Sequence, residues 1–227
     1  MSVLRFYGFP VNRVKPDLES GKKLTTSPFR TPAEKEAERV AKRDAVLRAA
    51  VRMFNDRGFH ATSLDDVAAS LGISKRTIYH YLSSKDQVLL ECVTIGLNQL
   101  LEAAEEARAE LGVGRDRLVT FLQRYAEINM EDFGRCVIRT GAEVLAPESR
   151  PQYSRLKQAI DAAMRSMIRD AIDDGSIAPV DVKIAAFTLA GALNWPARWH
   201  HPDGAMSPED IARAMVDFLA AGFTPRD

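Results

Sequence analysis

Ser63-Leu64-Asp65-Asp66-Val67-Ala68-Ala69-Ser70-Leu71-Gly72-Ile73-Ser74-Lys75-Arg76-Thr77-Ile78-Tyr79-His80 holds two short helical signals around a tight turn. Ser63 reads as an N-cap with Asp66, three residues on, as its capping-box partner. Ser74 caps the second, very short helix. Between them, Leu71-Gly72-Ile73-Ser74 combines a glycine free to take φ > 0 with apolar neighbours on both sides, which suits a helix-turn-helix. Leu64, Val67, Ala68 and Leu71 are predicted to face a preceding helix, and Ile73, Ile78 and Tyr81 to close a small core.

Charge placement in this stretch is unusual. Lys75 and Arg76 follow the Ser74 cap, and Lys85 follows Ser84, so all three cations stand where the helix dipole is already positive. Each costs some tenths of a kcal/mol there. Such bases make sense if phosphates or guanine edges supply the missing anion, since a recognition helix enters the major groove by its N-terminal end. Solvated surface cations are the plainer alternative. Tyr79 and His80 fit donors to phosphate oxygens, whereas Tyr81 fits the core.

Outward from this segment the chain reads all-α. A first helix over Ala33–Arg57 carries the stripe Val46, Leu47, Ala50, Val51, Phe54 and stops at Gly58. A helix from Ser84, with Gln87 as box partner, runs to about Leu111. Further helices are predicted at Arg115–Asp132, Arg135–Leu145, Pro151–Asp174, Val180–His200 and Ser207–Gly222, broken by prolines and glycines. No stretch alternates long enough to be a strand. Residues 1–32, with four prolines and six bases against two acids, read as an extended or disordered basic arm, either a plain tail or a minor-groove contact. This gives three parts: an arm over 1–32, a helix-turn-helix unit over 33–90, and a second helical unit over 91–227.

The 227 residues carry no net charge, but the charge is divided. Residues 1–90 are net +6 and residues 91–227 net −6, so only the front half suits a polyanion. Cys92 and Cys136 match no metal-ligand spacing and read as buried reduced thiols. The longest apolar run, Ile184–Leu193, falls short of a membrane span, and the start lacks the marks of a signal peptide. A cytoplasmic location without membrane partners is the simplest expectation. No phosphate loop, nucleophile elbow, His-Cys metal spacing or paired carboxylates appear, so neither an enzyme, a metal site nor a cofactor is expected.

Phe54-Asn55-Asp56-Arg57-Gly58-Phe59-His60-Ala61-Thr62-Ser63-Leu64 through Lys85 resembles the DNA-binding domain of TetR-family regulators, over about Lys42 to Val93. The resemblance makes Ser74–His80 the recognition helix. It implies phosphate contacts by Thr62, Ser63, Tyr79, His80 and Lys85, and base reading by Lys75, Arg76 and Thr77. Many members of the family carry a small residue or glycine where Arg76 stands, so base preference does not carry over. The implied partners are double-stranded operator DNA, a second copy of the chain and a small-molecule effector.

The family resemblance also implies a C-terminal effector pocket and a dimer interface made by the last two long helices. Ile211, Met215, Phe218 and Leu219 form an i, i+4, i+7, i+8 stripe suited to a partner helix or to an internal core. Trp195 and Trp199 close the preceding helix before a Pro-Asp-Gly turn, as part of the interface or as a lid. The segment Asn194–Gly204, with Met206-Ser207-Pro208-Glu209-Asp210 after it, resembles a subgroup responding to acyl-CoA thioesters. Candidate pocket walls are Leu97, Leu101, Phe121, Leu122, Tyr125, Ile138, Arg139, Met164, Met167, Ile168 and Phe187; the same side chains suit ordinary core packing. Arg124, Arg135 and Arg139 could meet a CoA phosphate or stand in solvent.

Overall fold

The computed structural model describes residues 31–222. Most of the expected arm lies outside them. Its last two residues belong instead to α1 (Pro32–Arg57) and its cap. The Thr31 hydroxyl accepts from the Glu34 amide at 3.2 Å, and the Glu34 carboxylate accepts from the Thr31 N–H at 2.7 Å. Pro32 fills the first helical position, where a missing N–H removes no bond. Gly58, at φ 86°, ends the helix in a conformation that resists a side chain.

α2 (Leu64–Ser70) and α3 (Lys75–Tyr81) follow as the two short helices. The Ser63–Asp66 box forms as expected, and Ser74 Oγ accepts from the Thr77 amide. Gly72 takes φ 63° in the turn. Val46, Leu47, Ala50, Val51 and Phe54 of α1 are buried with Leu64, Val67, Ala68 and Ile78. Leu71 departs from expectation: it lies just beyond the end of α2 and is exposed, while the half-buried Ile73 and Tyr81 pack on this core.

The second unit comprises α4 (Lys85–Ala109), α5 (Gly114–Met130), α6 (Asp132–Arg139), a 3-10 turn at Ala142–Val144, α7 (Arg150–Asp173), α8 (Val182–Asn194), α9 (Pro196–Trp199) and α10 (Pro208–Ala220). α4 packs on α1 and also on α5, α6 and α7, so the residue-90 division falls inside a helix shared by both units. Gly96 permits the α4–α6 contact, because a Cβ there would sit 2.6 Å from the Phe133 carbonyl oxygen. Ser84 caps α4 through the Gln87 amide, but the Gln87 side chain turns to Ser83 instead of closing a box.

Two predicted helices change. The one expected over Arg135–Leu145 is α6, starting at Asp132 and ending at Arg139. A Cβ at Gly134 would collide with the Ile128 carbonyl, so the glycine allows the sharp α5–α6 bend. The helix expected over Val180–His200 divides at Trp195, where Pro196 brings no N–H to the ladder. Among the described residues there is no strand, and no helix long and apolar enough to cross a membrane.

Candidate DNA-reading face and ligand clefts

The N-terminal turn of α3 presents Lys75 and Arg76 at the surface. Arg76 is exposed and makes no hydrogen bond or ion pair among the described residues, and Thr77 is half-buried with its hydroxyl 2.8 Å from Ser74 Oγ. Lys75 differs from the expectation of an unbalanced cation. Its Nζ lies 2.7 Å from Asp65 Oδ2 on α2, so part of the missing anion is internal. That hydrogen bond holds the Lys75 ammonium above its usual pKa.

A cleft of about 470 Å³ beside α3 brings together Thr62, Ser63, Tyr79, Ser84 and Lys85. Tyr79 is 47% exposed, leaving its ring for an incoming surface. Lys85 Nζ sits 4.2 Å from the centroid of the Phe59 ring and donates to the His60 carbonyl at 3.5 Å. Sequence reasoning missed Phe59 as the platform for this ammonium. His80 is exposed and stacks edge-on against Tyr81 at 5.2 Å. Ser63 donates to and accepts from Asp66, whose carboxyl is held below its usual pKa by the Ser63 hydroxyl and backbone.

Thr62 needs correction as a side-chain phosphate contact. It is buried, and its hydroxyl donates to the Gly58 carbonyl at 2.9 Å and the Met53 carbonyl at 3.2 Å. It ties the α1–α2 turn shut.

In the second unit, most expected pocket walls are core. Leu97, Phe121, Leu122, Tyr125, Met164, Met167 and Ile168 are buried together, with Leu101 and Ile138 packed at their edge. Tyr125 belongs to a polar cluster: its hydroxyl donates to Asn194 Oδ1 at 2.9 Å, which also accepts from Asn129 at 3.0 Å. Phe187 needs correction, because it is 55% exposed on the outer face of α8 beside Arg165 and Lys183.

Two other clefts are present. One of about 500 Å³ is apolar and lies among α7, α8 and α10, lined by Ile168, Ile184, Leu189, Phe218 and Leu219. The other, about 1460 Å³, is lined by many charged and polar side chains and runs between α1, α4, α6 and the segment from α9 onward. Arg139 lines it, together with Arg52, Asn55, Arg135, Arg198 and His200. The sequence offered only scattered arginines here, since these residues come from three distant segments.

Comparison with known proteins decides the family. Residues 46–92 match "Bacterial regulatory proteins, tetR family", and residues 112–223 match "Tetracyclin repressor-like, C-terminal domain". The crystal structure of PfmR, a TetR family transcriptional regulator from Thermus thermophilus, is 32% identical at a TM-score of 0.71, covering 78% of this chain and 97% of its own. The chain belongs to the TetR family. It is therefore a DNA-binding transcriptional regulator and not an enzyme.

Two further TetR-family proteins are similar. KstR2 of Mycolicibacterium smegmatis, an HTH-type transcriptional repressor, is 25% identical over 194 residues, which is 81% of this chain and 91% of KstR2. AibR, crystallised with isovaleryl coenzyme A and operator DNA, is 25% identical at a TM-score of 0.69, covering 78% of this chain and 97% of its own.

This TetR-family chain also exposes an apolar face. Ile184 at 61%, Phe187, Trp195 at 61%, Trp199 at 44% and Phe218 at 82% stand outward on α8, α9 and α10. The predicted α10 stripe divides across this face. Ile211 is buried in the chain's own core, where α10 packs on α5, and is corrected from an interface residue. Met215 and Leu219 are half-buried against that core. Cys92 and Cys136 are free and buried, and burial raises both thiols, Cys136 to about 11. No group of three potential metal ligands occurs among the described residues.

Proposed function

We propose that this TetR-family regulator is a homodimeric repressor that grips a palindromic operator through α3 and is released by a small-molecule effector. The observation that carries the reading is the exposed N-terminal turn of α3, with Arg76 unpaired among the described residues and Tyr79 and Lys85 on an adjoining cleft. Lys75, Arg76 and Thr77 read bases; Ser63, Tyr79, His80 and Lys85 meet phosphates. The DNA-binding unit is residues 33–90, and residues 91–227 serve dimerisation and effector binding.

A seven-residue recognition helix reads too few base pairs alone, and twofold pairing doubles the site. The outward face of Ile184, Phe187, Trp195, Trp199 and Phe218 supports pairing through α8 and α10. Similarity to AibR favours an acyl-CoA thioester as effector. Binding shifts the population toward a spacing of recognition helices that no longer matches the operator. Operator binding and the free thiols favour a cytoplasmic setting.

A gel shift with the DNA upstream of the chain's own gene tests the core of this reading. Salt-sensitive, sequence-selective retardation is expected; its absence there and in an unbiased operator selection refutes it. Lys75→Ala with Tyr79→Ala separates a regulator from a helical scaffold, since only a regulator loses its effect on transcription. A thermal-shift panel of CoA thioesters, free acids, cationic drugs and lactones tests the effector class. Stabilisation by a non-thioester class alone would rule the thioester out.

A further inference from the structure

Arg135 on α6 is 9% exposed, and His200, directly after α9, is 6% exposed. Arg135 Nη2 donates to the Met130 carbonyl at 2.8 Å and lies 3.0 Å from His200 Nδ1. A guanidinium only donates, so Nδ1 accepts, and the neutral imidazole carries its proton on Nε2. Arg135 Nε and His200 Nε2 are then two buried donors without partners among the described residues, on one pair of side chains.

The charge has no direct partner either, although Asp132 and Asp56 act on it through space. Among the described residues, no carboxylate forms an ion pair with Arg135. Asp132, one turn earlier on α6, is held by Arg52 at 2.8 Å. Arg139 adds a like charge and turns to the carbonyls of Asn55 and Arg198. Water would satisfy the two N–H groups but would bring no charge into contact with the buried cation. Both side chains line the cleft of about 1460 Å³, which is wide enough to admit a small molecule.

We propose that Arg135 and His200 seat an oxyanion, the carboxylate or phosphate group of a small molecule entering the cleft between α1 and α6. This rests on the ligand-responsive reading and gives it a location. The opposite wall is α1, the helix that supports α2 and α3. It is tied to α6 by Arg52–Asp132, by Asn55 Nδ2 donating to the Asp132 carbonyl at 2.8 Å, and by Arg139 on the Asn55 carbonyl. An oxyanion at Arg135 competes with Asp132 for Arg52. It thereby biases the contact on which the orientation of the DNA-binding unit depends.

The test uses the full chain in potassium phosphate, acetate and chloride at equal ionic strength, read by thermal unfolding and calorimetry. Phosphate or acetate is expected to raise Tm above chloride, with affinity at least about tenfold weaker in Arg135→Met and His200→Gln. In chloride, Arg135→Met should melt no lower than the parent, because it removes a buried charge that no carboxylate touches. Arg135→Gln, which keeps donors for the Met130 carbonyl, reports the same loss if Arg135→Met does not fold. A response to phosphate alone assigns a phosphorylated ligand, and one to acetate alone a free acid. No oxyanion effect on the parent, or an equal effect in the variants, overturns the proposal. A parallel gel shift keeps the readings apart: operator binding without oxyanion response sinks only the seat, while oxyanion response without operator binding sinks only the repressor.

Discussion

Replacing Asp65 with alanine should tighten operator binding while slightly weakening the fold. Lys75 and Asp65 meet at 2.7 Å with side chains 68% and 48% exposed, so the pair is a surface ion pair. Such pairs contribute about 0–1 kcal/mol. To reach a phosphate or base edge, Lys75 must leave Asp65 or bring its negative charge along. Removing the carboxylate therefore returns up to about 1 kcal/mol, roughly fivefold, per half-site, and roughly 30-fold at most for a dimer. If the freed ammonium meets a phosphate, one more counterion is displaced per half-site, and the slope of log K against log salt steepens by about 1.8 per dimer. The structural loss is small. Asp65 lies in the first turn of α2, where an acid is worth about 0.3–1 kcal/mol, or about 2–4 °C in Tm at the upper end. Fluorescence anisotropy on a labelled operator across a salt series, with melts on the same preparations, gives both quantities. Weaker binding, or an unchanged slope with unchanged affinity, would refute the idea that Lys75 is drawn from Asp65 to DNA.

Other outcomes follow from individual side chains. Phe218→Glu should shift the chain toward monomer in sedimentation velocity, since burying a ring that is 82% exposed is worth about 1.5–3 kcal/mol per subunit. Ile211→Ala should instead cost the chain itself about 2–5 kcal/mol in denaturant unfolding; a variant at Phe218 that stays dimeric defeats this division of α10. Thr62→Val should lower stability by about 1 kcal/mol with no change in the salt slope of DNA binding, because the buried hydroxyl bonds to the Met53 and Gly58 carbonyls. A changed slope would restore Thr62 as a phosphate contact. Burial, Arg135 and His201 hold the His200 imidazole below its usual pKa, so the unfolded chain binds its proton more readily. The neutral-His200 contribution is complete above about pH 6.5 and is lost as pH falls toward the folded-state value. Glu131, raised by burial, works in the opposite sense at lower pH, so comparison with His200→Gln isolates the histidine; an identical pH slope in the two proteins would contradict the assignment.

The sequence by itself determined the local elements. The Ser63–Asp66 box, the Ser74 cap, the Gly58 stop and the α1 stripe are interactions within four residues or one helical period, so spacing and residue type suffice to specify them. The Gly58–Lys85 stretch made the DNA-binding unit legible for the same reason. Tertiary structure decided which side of a helix became core and which charge found a partner. Phe187 turned outward and Ile211 inward although both lie on apolar helices, because α8 packs one flank on α7 and α5, and α10 packs one flank on α5. Lys75 met Asp65 across the turn, and the hydroxyl of Thr62 turned back onto α1. Arg135 and His200, 65 residues apart, came together with two buried donors open. Hydropathy and charge are properties of single residues, whereas burial and electrostatic pairing exist only once distant segments share a volume from which water is excluded.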